Sequence, residues 1–141
     1  MIVLDTSVLV YAVGREHPLR RPAEAVVGAA TEGRIRATTM IEVVQEFAHV
    51  RARHYGRRNA VALARNYATL LAPLLVTEPG DLEAGLRLFA RHEGLGAFDA
   101  LLAAVAKRVE PTAFVSSDRG FRGVRSLRYV ELGSLELDEL L

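Results

Sequence analysis

Ile2-Val3-Leu4-Asp5-Thr6-Ser7-Val8-Leu9-Val10 is the stretch on which the fold turns. Three apolar residues, two of them β-branched, are stopped by a polar triplet, and an apolar run then resumes. The first three read as a strand buried on both faces, as in parallel sheets. Val8 to Val13 reads as a short helix. A strand followed directly by a helix opens a βα unit, whose next strand pairs in parallel. Moving outward, Arg34–Thr38, Thr112–Ser116 and Arg128–Glu131 read as further strands, with Leu74–Thr77 a fourth candidate. Arg20–Glu32 reads as a helix ended by Gly33, and Pro79–His92 as one with Pro79 in its first turn. Thr39–Arg53 is helical by periodicity, with Met40, Val43, Val44, Phe47 and Val50 on one face. Asn59–Leu71 and the apolar Ala97–Arg108 complete the set. The expectation is a three-layer α/β fold, a short parallel sheet flanked by helices, in a single domain over residues 1–141.

The 141 residues suffice for one core, and with half of them apolar the chain is not of the disordered class. No apolar run reaches the ~18 residues that span a bilayer. Met1-Ile2-Val3-Leu4 has no basic leader segment, so the expected compartment is the cytoplasm and no membrane is involved. The absence of cysteine excludes disulfides and zinc–thiolate sites. A net charge of +1 does not mark a nucleic-acid binder, although Lys107 is the only lysine among 18 basic residues. Arginine suits bidentate phosphate contacts, but a bias this uniform is also what genomic base composition produces.

Four acids stand in apolar surroundings. Asp5 follows the first strand, and Asp118 follows Thr112–Ser116, so both fall at the carboxyl edge of the sheet, where α/β proteins bind ligands. Asp99 lies in the first turn of an almost wholly apolar helix. Each has a structural reading as well: Asp5 as a helix cap, Asp99 as a partner of the helix dipole, Asp118 as a turn former. Thr39-Met40-Ile41-Glu42 fits a capping box, which would account for Glu42. Glu46, one turn on, lies nearer the border of the apolar face, from which a carboxylate can look into a site.

Taken together, Ile-Val-Leu-Asp-Thr-Ser-Val-Leu-Val-Tyr-Ala, Val-Val-Gln-Glu-Phe, Ala-Phe-Asp-Ala-Leu-Leu-Ala-Ala-Val-Ala and Val-Ser-Ser-Asp-Arg-Gly-Phe resemble the motifs of the PIN-domain family, in the family's order and over nearly the whole chain. Within that family the chain is similar to the VapC-type toxins of toxin–antitoxin pairs. The resemblance implies an acidic pocket that binds Mg²⁺ or Mn²⁺ and hydrolyses RNA. Asp5, Asp99 and Asp118 match its aspartates, Glu46 matches the glutamate better than Glu42 does, and Thr6 and Ser116 match supporting hydroxyl residues. It also implies a VapB-like antitoxin partner and a homodimer.

The chemistry agrees with those residue types. Clustered carboxylates cannot all stay ionised without a cation, and an oxygen-only donor set favours Mg²⁺ or Mn²⁺ over zinc. Thr6 and Ser116 would orient ligands from behind. His17, His49, His54 and His92 show no ligand spacing, and His49 and His54 read as surface residues. Arg15 and Arg119 are candidates for holding the RNA backbone. Arg51, Arg53, Arg57 and Arg58 form the densest basic cluster, either an RNA contact or a solvated helix end. A phosphatase of the haloacid-dehalogenase type would want an acid where Ser7 stands and a lysine at its site. A PIN nuclease in housekeeping RNA processing, or a non-catalytic module whose acids only cap helices, remain as alternatives.

Overall fold

A computed structural model describes all residues, Met1–Leu141. Strand β1 (Ile2–Leu4) is wholly buried and leads through Asp5 into helix α1 (Thr6–Ala12). Helix α2 (Arg20–Thr31) returns the chain to strand β2 (Ala37–Thr38). Helices α3 (Ile41–Leu70), α4 (Pro79–Arg91) and α5 (Ala97–Val109) carry it to strand β3 (Ala113–Ser116). A 3-10 turn, Arg119–Gly123, precedes strand β4 (Tyr129–Glu131), and helix α6 (Leu135–Asp138) closes the chain. The sheet has the order β2-β1-β3-β4 and every pair is parallel. The expected α/β architecture, a short parallel sheet flanked by helices, is therefore the observed one. The chain leaves β1 toward one edge and β3 toward the other. A topological switch point thus lies between the central strands, where sites form in such sheets.

Val3, Leu4, Phe114, Val115 and Val130 are completely buried in the sheet, and Val8, Leu9, Leu102 and Val105 cover it from the helices. Both turns of α1 are gripped by α3. Phe47 meets Tyr67 edge-on at 4.9 Å, and the Tyr67 hydroxyl donates to the Leu9 carbonyl at 2.9 Å. Burial pushes that phenol up to about 12.

Four local expectations are corrected. The two helices read as Thr39–Arg53 and Asn59–Leu71 form one run, Ile41–Leu70, interrupted only at Gly56, where φ is 79° and ψ 163°. Glycine is the residue that adopts this conformation without a Cβ penalty. Thr39 caps nothing: its hydroxyl donates to the Leu4 carbonyl at 2.6 Å, and Met40 occupies the cap position. The capping box read at Glu42 is absent for that reason. Leu74–Thr77 is no strand and contributes a single bridge, Leu75 to Met40. The strand read as Arg34–Thr38 shortens to its last two residues, because β1 offers a partner only there. The 3-10 turn and α6 had no counterpart in the sequence reading, since both are too short for periodicity to register.

Candidate active site

Asp5 is both cap and candidate ligand. It occupies the N-cap of α1, and its Oδ2 accepts from the Ser7 amide (3.4 Å), the Ser7 hydroxyl (2.6 Å) and the Ser116 hydroxyl (2.7 Å). Its other oxygen takes no hydrogen bond from the protein. The residue is almost buried, at 6% exposure, so these hydroxyls replace the water its charge would otherwise hold. Ser116 also accepts from the Asp118 amide at 2.9 Å, and Ser7 accepts from the Ser117 amide at 3.1 Å. The ends of β1 and β3 are thereby locked together. Ser7 was missed in the sequence reading. A hydroxyl two residues after a capping aspartate was the available sign.

Asp118 caps the 3-10 turn and accepts from the Gly120 amide at 2.7 Å, with its side chain exposed. Gly120 is required by close approach, because a Cβ there would collide with the Gly94 carbonyl. Glu46 stands on α3 opposite α1, and the Thr6 hydroxyl donates to its Oε2 at 2.5 Å.

Asp99 joins the group from the first turn of α5. Burial lifts its carboxyl to about 6, and the negative charges of Asp5, Asp118 and Glu46 push in the same direction. All four expected acids therefore share one electrostatic site, although no three of them close into a ready-made ion cage. The donor set fits a hard divalent cation: carboxylates backed by hydroxyls, with no cysteine and no histidine hydrogen-bonded to any of them.

Glu42 lies elsewhere. Its Oε1 accepts from the Thr77 hydroxyl at 2.8 Å, and its buried Oε2 has no partner. Arg119 is committed to Glu131 at 2.7 Å, as is Arg122, so Arg119 does not stand free at the rim. Arg15, His49 and His54 are exposed.

The family model for the PIN domain matches residues 2–127. "Ribonuclease VapC7" of Mycobacterium tuberculosis is 47% identical over 134 residues, 92% of this chain and 90% of the relative. "Ribonuclease VapC23" of the same organism is 36% identical over 108 residues, 77% of this chain and 85% of the relative. Among solved structures, VapBC2 from Rickettsia felis bound to a promoter DNA fragment is similar at TM-score 0.68 and 16% identity, covering 93% of this chain and 98% of that one. DNA-bound VapBC from Salmonella typhimurium has the same TM-score at 14% identity, covering 93% and 97%. Identities this low speak for the fold alone. The profile match, the high-coverage relatives and the carboxylates at the β1/β3 switch point agree: this chain belongs to the PIN-domain family, among its VapC ribonucleases.

Proposed function

We propose that this protein is the toxin of a type II toxin–antitoxin pair, a Mg²⁺- or Mn²⁺-dependent endoribonuclease acting in the cytoplasm on single-stranded or looped RNA. The observation that carries this reading is that the charges of Asp5, Asp118 and Glu46 all act on Asp99, whose carboxyl is lifted to about 6 by burial first and by those three acids with it. An uncompensated anionic pocket repels a phosphodiester, so these residues make sense as a cation's ligands. When bound, the cation would offset phosphate charge and activate water for in-line hydrolysis. Ser7 and Ser116 hold the Asp5 carboxylate in one orientation, and Thr6 does the same for Glu46. Duplex RNA hides its base edges in a deep groove, which favours unpaired substrates.

Purified protein incubated with structured RNAs should cut them internally, with activity lost in EDTA and restored by Mn²⁺. Cleavage that persists in EDTA would defeat the reading. Glu46→Gln should reduce cleavage by at least about a hundredfold, the scale on which a disturbed ligand shell acts. Glu42→Gln should leave turnover near wild type, because Glu42 faces Thr77. The opposite ranking in matched kinetics would mean that the wrong glutamate has been placed at the metal.

The solved VapBC complexes that share this fold and the anionic pocket support a VapB-like antitoxin that covers the site, an arginine pairing with the carboxylates. Co-purification with the product of the adjacent reading frame tests this, and that product should block cleavage. A second copy of this chain is the proposed cover for the exposed stripe Leu82, Leu86 and Phe89 on α4. Glu83 and Arg87 beside it carry opposite charges, so a two-fold contact is self-complementary. Sedimentation equilibrium should give a dimer, and Leu86→Asp a monomer.

A further inference from the structure

The break at Gly56 lies beside a groove that the acidic site does not use. Val10, Phe47 and Val50 give it an apolar lining, and Arg15, Arg51 and Tyr55 line it as well. Its volume is ≈ 230 Å³, and no carboxylate lines it. Arg53, Arg57 and Arg58 are exposed around the same break.

Tyr55 is held ready. The Arg51 guanidinium lies 3.5 Å from its ring centroid, covering one face, while the residue as a whole is 44% exposed. Arg51 is itself fixed, donating to the Val13 carbonyl and to Asn59 Oδ1, both at 2.7 Å. A cation stacked on one face of an aromatic ring leaves the other face open to a second partner. The groove is also next to the acids. Thr6 on α1 and Glu46 on α3 are hydrogen-bonded, and Val10 and Val50 lie four residues further along each helix, about 6 Å on.

These features select among occupants. A docked helix needs anchors spread over several turns, whereas this groove has room for little more than one planar ring. An aromatic platform ringed by cations is how unpaired nucleic acid is gripped. We propose that this groove is a base-binding subsite. An unstacked RNA base next to the scissile phosphate lies on Tyr55 above Val10 and Val50, with Arg15 on the backbone. The assignment rests on the ribonuclease reading and adds to it where sequence preference arises.

The test uses the full chain and an RNA whose cut has been mapped. Copies of that RNA each carry one abasic residue near the cut. For the wild type, one copy should show a KM raised about tenfold, the scale of a lost base–aromatic stack. Tyr55→Ala should raise KM for intact RNA by the same factor and show no further loss on that copy, while Tyr55→Phe stays near wild type. The proposal is overturned if no abasic position matters to the wild type, or if the Tyr55→Ala and abasic losses multiply. It also falls if Tyr55→Ala spares RNA but releases an antitoxin peptide, which would make the groove a peptide site. A wild type that cleaves no RNA removes the ribonuclease reading itself, and the subsite with it.

Discussion

Asp99→Asn should abolish RNA cleavage while making the metal-free protein more stable at neutral pH. The two effects share one cause. Asp99 is pressed into a partly buried position facing three other carboxylates, and its carboxyl is lifted to about 6. The asparagine removes a charge that the bare fold resists and that the proposed cation would need. Loss of several kcal/mol of transition-state stabilisation corresponds to a rate decrease of about a thousandfold or more.

The stability effect has a definite sign. An ordinary carboxyl titrates near 4, so the folded state holds the Asp99 proton more tightly than the unfolded state does. The favourable contribution is complete below about pH 4 and is lost as pH rises through about 6. Two units correspond to about 3 kcal/mol at most, and screening of this partly exposed group leaves about 1–2 kcal/mol. Divalent metal reverses the order, because a ligand at 100 times its Kd adds about 2.7 kcal/mol to the folded state. Melting curves at pH 4.5 and 7.5, in EDTA or Mn²⁺, separate these contributions. The wild type should lose stability toward pH 7.5 in EDTA and recover it with Mn²⁺, and Asp99→Asn should do neither. An equal Mn²⁺ response in both proteins would remove Asp99 from the metal site.

Asp81→Ala should give the largest loss of stability among the substitutions considered, with the active-site residues untouched. The Asp81 side chain is 4% exposed and accepts two hydrogen bonds from Arg108, at 2.8 and 3.0 Å. It also caps α4 by accepting from the Glu78 amide at 2.8 Å. Arg108 donates in addition to the Val76 carbonyl at 2.8 Å. The start of α4 is thus fastened to the end of α5, the helix that delivers Asp99. Breaking a buried pair costs about 3–5 kcal/mol, and the part-exposed Arg108 places this case near about 2–3. For a chain of this size that is a fall of roughly 10 °C in Tm. The Arg108 guanidinium holds the Asp81 carboxyl below the usual range. The pair's contribution is therefore present above about pH 4 and is lost as pH falls through the lower folded value. Thermal denaturation at pH 7 and pH 3 checks this, and a Tm change under about 2 °C at pH 7 would show the pair to be energetically idle.

Local pattern was enough for the frame of this protein. Ile2-Val3-Leu4 and Ala113-Phe114-Val115 are apolar without alternation, which only a strand covered on both faces tolerates, and polar residues follow each. Parallel pairing then follows from the helices between them, and with it the placing of Asp5 and Asp118 on one edge. Asp99 was legible because a charge in so apolar a helix needs a reason. Tertiary structure decided what depends on neighbours distant in sequence. Helical phase favoured Glu46 over Glu42 only as the residue nearer the border of the apolar face; their partners came from packing α3 against α1, which sets Glu46 beside Thr6 and leaves Glu42 to Thr77. Thr39 looked like a cap and instead ties α3 to β1, since a nearby carbonyl on another element outcompeted the local amide. Arg119 looked like a phosphate contact until β4 supplied Glu131. The Asp81–Arg108 clasp, 27 residues apart in the chain, left no local trace at all. A period or a turn propensity is a property of adjacent residues, whereas the partner of a charge is set by which helices pack together, and that is decided only when the core closes.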